Sequence, residues 1–248
     1  MAYNFDKLYI NGHWCDSTSG QFIEVENPAT LKHFAKVPEG NEKDIDLAVR
    51  AAHAAFESWS QTELSERIRL MKKMLEIFES YKDQIIDLEV KELGAPVSYS
   101  VQSHCVYQFT RTHSYIECAA ELPLEQSLAQ STVYREPIGV IACVTPWNYP
   151  LGQVVQKVVP AILMGNTVVL KPSQHTPLTA YLLIDAFDRA GFPAGVINLV
   201  TGRGSAVGDA LASHPLVDMV SFTGSTKVGA KLSQRALESI KRISLELG

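Results

Sequence analysis

Gly139-Val140-Ile141-Ala142-Cys143-Val144 and, after a helical pattern at 151–164, Thr167-Val168-Val169-Leu170 read as two strands joined by a helix. Neither run alternates apolar with polar residues, which fits strands covered on both faces. Downstream the same unit repeats as strand 166–170, helix 177–190, strand 196–200, helix 205–213, strand 217–222, helix 225–237 and strand 242–246. Counting strand 139–144, short strands separated by helices predict parallel βαβ units with right-handed crossovers, an α/β fold with a Rossmann-like sheet and flanking helices. Upstream, residues 8–25 alternate and turn, predicting one hairpin around Asn11-Gly12. Ile45, Ala48, Val49, Ala52, Ala55, Phe56 and Trp59 recur at helical spacing behind Asn41-Glu42, and Leu64, Ile68, Met71, Leu75 and Phe78 repeat the pattern. A third helix runs from Lys82 to Leu93 and stops at Gly94, while Val97, Val101, Cys105, Phe109 and Ile116 trace a fourth. Thr132 to Glu136 reads as a further strand. The helices of 1–120 are expected to pack beside the 139–248 core rather than to form a separate domain.

The chain has 248 residues, 46% of them hydrophobic and 20% charged, which supports a large core and excludes disordered and collagen-like classes. Twenty-two basic and 27 acidic side chains give −5 at pH 7 with no block of like charge, so nucleic acid is not an expected partner. No apolar run approaches the roughly 18–20 residues that cross a bilayer, and Met1 to Ile10 does not resemble a signal peptide. Cys15, Cys105, Cys118 and Cys143 are scattered and form no CxxC pair, which points to a reducing, cytoplasmic setting. The histidines show no paired-ligand spacing, so no metal is expected.

In an open parallel sheet, ligands bind beyond the carboxyl ends of the strands. Those ends deliver Thr145-Pro146-Trp147-Asn148-Tyr149-Pro150, Lys171-Pro172-Ser173, Thr201-Gly202-Arg203-Gly204, Phe222-Thr223-Gly224-Ser225 and Glu246-Leu247-Gly248. Helix starts behind glycine or serine favour a phosphate-bearing ligand. Gly202, Gly204 and Gly208 form a loose dinucleotide fingerprint, which a tight turn with close helix packing would equally explain. Ser225 reads equally as an N-cap, Asn148 as a turn asparagine, Glu246 as a solvated strand end and Lys171 as a surface lysine. A Walker A loop is disfavoured, because Ala230 stands at the lysine position.

Pro146-Trp147-Asn148-Tyr149-Pro150, Gly165 to Ser173, Gly191 to Asn198, Phe222 to Thr226 and Leu245-Glu246-Leu247-Gly248 together resemble the N-terminal half of the hydrolytic NAD(P)-dependent aldehyde dehydrogenases. The likeness extends from Tyr9 to the last residue. It implies oxidation of a small-molecule aldehyde to a carboxylic acid. In that family a cysteine thiolate attacks the aldehyde, hydride passes to nicotinamide, and water hydrolyses the resulting thioester. Asn148 would donate to the developing oxyanion, and Glu246 would activate the water, a task favoured by burial that raises its pKa. Lys171 would bind the adenosine ribose, with Ser173 and Gln174 beside it. Trp147 and Ser225 would flank the pyrophosphate, and Gly204, Gly208, Phe222 and Val228 would line the adenine and phosphate slot. Thr145, Pro146, Thr223, Gly224 and Leu247 complete the expected cofactor set. Many NAD-preferring relatives carry glutamate where Gln174 stands, so either NAD or NADP is implied.

The resemblance also implies an oligomerisation hairpin starting within 121–138 and a homo-oligomer in full-length form. The family's nucleophilic cysteine lies beyond the motif at which this chain ends, so the chain is expected to be a truncated half, inactive alone. Its four cysteines sit on a strand, on helical stripes and in the hairpin, and are expected to be inert. Three roles follow: part of an enzyme, a dinucleotide-binding module, or a partner that enters oligomers of an intact paralogue.

Overall fold

A computed structural model describes residues 5–248. The expected 8–25 hairpin is in fact part of two. Strands β1 (Leu8–Ile10) and β2 (His13–Cys15) pair across Asn11-Gly12, which takes φ of 52° and 78° as a two-residue type I′ turn requires. Strand β3 (Phe22–Asn27) instead pairs with β4 (Lys32–Pro38), whose first three residues are exposed and polar or aromatic, hiding the strand from an apolar count.

Four helical segments follow: α1 (Glu42–Ser60), α2 (Leu64–Glu79), α3 (Lys82–Leu88) with a π turn over Glu89–Leu93, and α4 (Val97–Tyr99) with a π turn over Ser100–Val106 that leads into α5 (Tyr107–Glu121). Gly94 ends the first π turn in the left-handed region at φ 75°. The expected fourth stripe is broken by the second π turn, which leaves Val97 exposed. Asn41 Oδ1 accepts from the Lys43 and Asp44 amides while Asp44 Oδ2 accepts from the Asn41 amide, a closed capping box. Asn41→Ala is expected to lower the unfolding free energy by about 1 kcal/mol in urea denaturation. An unchanged midpoint would mean that the box does not hold the start of α1.

A short exposed hairpin, β5 (Glu125–Ser127) with β6 (Thr132–Tyr134), precedes the βαβ units. Those units are β7 (Val140–Val144), α6 (Pro150–Leu163), β8 (Thr167–Lys171), α7 (Leu178–Ala190) and β9 (Ile197–Leu199). A π turn at Gly204–Gly208 then leads to α8 (Asp209–Ser213), β10 (Met219–Gly224), α9 (Thr226–Leu237) and β11 (Arg242–Leu247). Sheet order is β11-β10-β7-β8-β9-β1-β2, with the first five strands parallel and β1 added antiparallel through Tyr9 and Leu199. The chain winds outward from β7 to β9 and then returns to β10. The order therefore reverses between β7 and β10, the switch point at which such sheets bind ligands.

Two apolar layers sandwich the sheet. Met71, Phe78, Val158 and Leu182 pack with Cys143 and Leu170 on the face covered by α2, α6 and α7. Ile45, Val49, Leu211 and Leu232 pack with Val144 and Val169 on the face covered by α1, α8 and α9. The N-terminal helices thus share the core of the sheet.

Candidate functional site at the switch point

Register fixes which side chains meet at the carboxyl edge. Val144 lies beside both Lys171 and Phe222, while Thr223 pairs with Glu246 and Gly224 with Leu247. Side chains alternate between faces along a strand. Val144, Lys171, Phe222, Leu245 and Leu247 therefore share the α8–α9 face, and Cys143, Thr223 and Glu246 share the α6 face, as does Thr145 if the alternation of β7 continues one residue. Two strand spacings, roughly 10 Å, separate β7 from β11. Asn148 occupies the loop between β7 and α6, so it and Glu246 stand at the same edge of the sheet.

The α8–α9 face carries the expected adenosine-side residues. Lys171 is not the surface lysine its position suggested: it is 4% exposed, and its Nζ donates to the Pro172 carbonyl at 2.8 Å. Burial pulls its pKa down to about 8. Ser173 and Gln174 follow it, half-buried. Ser225 caps α9, its Oγ accepting from the Val228 amide at 3.4 Å. The glycine triplet divides. A Cβ on Gly202, at φ 155°, would fall 2.4 Å from Val207 Cγ2, whereas Gly204 and Gly208 have open space where a Cβ would stand. Packing thus demands only Gly202; of the other two, Gly204 is exposed and leaves backbone free for a ligand, while Gly208 is buried in the turn. Val228 and Trp147 are exposed.

Asn148 and Glu246 are both exposed, so Glu246 lacks the burial expected of it. Lys157, half-buried on α6, donates to Ser221 Oγ at 3.1 Å and interacts electrostatically with Glu246. Desolvation lowers its pKa. Tyr149 anchors the Asn148 loop from behind: its hydroxyl donates to the Ser103 carbonyl at 2.7 Å and accepts from Gln108 Nε2 at 2.8 Å. Thr145 Oγ1 and Thr223 Oγ1 are buried without a partner. Unsatisfied hydroxyls and a buried amine with only one carbonyl acceptor fit a ligand rich in hydroxyl and phosphate oxygens.

Two supporting residues were not anticipated. Glu92 accepts from the Leu178 and Thr179 amides at 2.7 and 3.2 Å, pinning the start of α7 behind the Ser173–Gln174 loop. Burial and the neighbouring Glu89 carboxylate raise its pKa well above the ordinary range. A carboxylate before a helix start is a recognisable signal only within a few residues, and Glu92 lies far upstream. Lys157 was legible only as a polar interruption in an apolar helix.

The cysteines differ from expectation in part. Cys143 and Cys105 are buried, and desolvation pushes both thiols up to about 12, which suppresses the thiolate. Cys118, by contrast, is exposed on α5, and Cys15 is half-buried.

Residues 14–248 match the profile of the aldehyde dehydrogenase family. The chain belongs to that family. A 3-succinoylsemialdehyde-pyridine dehydrogenase from a Pseudomonas species is 43% identical over 249 residues, covering 99% of this chain and 52% of the relative. Aldehyde dehydrogenase C of Pseudomonas syringae, solved as a mutant with NAD+ and octanal, superposes with a TM-score of 0.97 at 40% identity, over 100% of this chain and 51% of that one. Betaine aldehyde dehydrogenase of Staphylococcus aureus, solved with NAD+, gives a TM-score of 0.95 at 31% identity, over 99% of this chain and 51% of its own. This aldehyde dehydrogenase chain therefore spans about half the length of the relatives it matches.

Proposed function

We propose that the chain is the dinucleotide-binding half of an NAD(P)-dependent aldehyde dehydrogenase, and that alone it binds dinucleotide without turning over an aldehyde. The observation that carries this reading is Lys171, a buried amine at the carboxyl end of β8, next to the switch strand β7, with no carboxylate beside it among the described residues. Adenosine hydroxyls would accept from its Nζ, with Ser173 and Gln174 beside it. Gln174 is neutral and would not repel a 2′-phosphate, so the cofactor would be NAD or NADP. Gly204, Gly208, Ser225 and Val228 would line the phosphates and adenine on the α8–α9 face. From there the ligand would cross the switch point past Trp147 and Phe222, with Thr145, Pro146, Thr223, Gly224 and Leu247 along its path.

Bound at this edge, the nicotinamide supplies a hydride acceptor. The chain's own residues do the rest: the Asn148 amide donates to the oxygen that gains charge when a thiolate adds to the aldehyde, and Glu246 takes a proton from the hydrolytic water. The thiolate would come from the remainder of a longer protein: Cys143 and Cys105 are held protonated by burial, Cys118 lies on α5, and Cys15 lies on β2 at the opposite border of the sheet from β11. The exposed β5–β6 hairpin would serve pairing between copies.

Calorimetric titration of the 248-residue chain with NAD+ and NADP+ tests the binding step, and aldehyde-dependent NAD(P)H formation by the full-length protein tests the reaction. Saturable binding of one dinucleotide per chain is expected. A folded sample that binds neither dinucleotide would overturn the reading.

A further inference from the structure

Away from the switch point, Arg67 presents an unsolved charge. It lies in the first turns of α2 and is 5% exposed, yet it forms no ion pair within 4 Å among the described residues. Its Nε and Nη1 are sealed from solvent without an acceptor, leaving Nη2 as the open edge of the guanidinium. A guanidinium does not discharge at any accessible pH, so burial leaves a cation in need of oxygen acceptors. Desolvation lowers its pKa, opposed only by the exposed Glu63. The fold makes room for this group: Gly165 takes φ 84°, and a Cβ there would fall 1.9 Å from Arg67 Nη1.

Arg67 lines a pocket of about 400 Å³ between the end of α1 and the segment that follows β6. Phe56, Leu124, Pro137 and Met164 give it apolar walls, and Arg135 adds a second positive charge. The Arg135 guanidinium is held in place by the Pro123 carbonyl at 2.7 Å and Gln126 Oε1 at 3.4 Å. Glu136 also borders the pocket, which penalises a dianion more than a monoanion. Buried cation, apolar walls and an acidic rim together select a singly charged head on a hydrocarbon body.

We propose that this pocket binds a small alkyl carboxylate, its carboxylate on Arg67 and its chain against the apolar walls. This site is independent of the dinucleotide reading and faces none of the residues assigned to it. Titrating the 248-residue chain with hexanoate, hexan-1-ol and inorganic phosphate, followed by amide chemical shifts, tests it. Hexanoate is expected to saturate with a dissociation constant on the order of 1 mM and to shift residues around Arg67 and Met164. The neutral alcohol and phosphate should each bind at least about tenfold more weakly. Arg67→Met should abolish saturation while the fold persists. Should that variant not fold, Ser60→Trp, which fills the pocket and leaves the buried charge alone, should abolish it instead. No saturation by about 50 mM, tighter binding of phosphate, or unchanged hexanoate affinity in a folded variant would each overturn the proposal.

Discussion

Replacing Lys171 by methionine is expected to stabilise the ligand-free chain and to weaken NAD(P) binding about a hundredfold. The two effects share one cause. An amine whose pKa falls from 10.5 to about 8 on folding resists burial of its charge, and at pH 7 the folded state carries a penalty of about 3 kcal/mol for keeping it protonated. Methionine fills the same volume without the charge and forgoes one hydrogen bond to the Pro172 carbonyl, about 1 kcal/mol. The net gain of about 1–2 kcal/mol corresponds to a melting temperature several degrees higher. The sign with pH follows: the folded pKa is depressed, so between about pH 8 and 10.5 the unfolded chain holds more protons and parent stability rises with pH. The methionine variant lacks that rise, and the two melting curves converge toward pH 10. With dinucleotide present the order reverses, because charge-assisted bonds from Nζ to ribose hydroxyls, about 1.5–3 kcal/mol each, are lost. Melting at pH 7 and 10, with calorimetric titration of NAD+, measures both. A variant that is less stable than the parent and binds NAD+ equally well would show that Lys171 is a structural residue.

The reversal of effects reflects a wider division in what the amino-acid pattern discloses. Strands such as Thr167–Lys171 are legible because unbroken apolar runs bounded by turns have few alternatives, whereas the return of β10 to the far side of β7 is not, since right-handed crossovers fix the hand of each unit and leave the strand order open. The β3–β4 hairpin is not, because only the last two residues of β4 are buried and its polar start resembles a loop. Nor are the π turns, since an extra residue per turn displaces the apolar stripe without altering its composition. Within the site, positions at strand ends are legible but environments are not. Lys171 and Glu246 have the same address in the pattern, a charged residue closing a strand, and the fold buries the first and exposes the second. The difference lies in the sheet: β8 runs through its middle and β11 along its border. Pairs that meet through space, such as Glu92 with the start of α7, leave no local trace at all.

That Glu246 lies on one face of the sheet and Lys171 on the other bears on the chemistry. The proposed reacting groups stand apart from Lys171, so variants of Asn148 and Glu246 should leave dinucleotide affinity intact and change turnover alone. In the full-length protein, Asn148→Ala would remove the proposed oxyanion donor and is expected to lower kcat by about 10²–10³. Because that donor acts when the thiolate adds, the first turnover slows with all the others, and no burst of NAD(P)H appears. Glu246→Gln is expected to lower steady-state kcat by about 10²–10⁴ through loss of the base. Its first turnover proceeds at the parent rate, since the base is needed only for hydrolysis, and releases one NAD(P)H per active site before stalling as the thioester. Rapid-mixing absorbance at 340 nm separates the two profiles, and mass spectrometry detects the trapped acyl group. A burst in Asn148→Ala would remove that residue from the addition step. A Glu246→Gln variant that turns over normally would leave hydrolysis to another base.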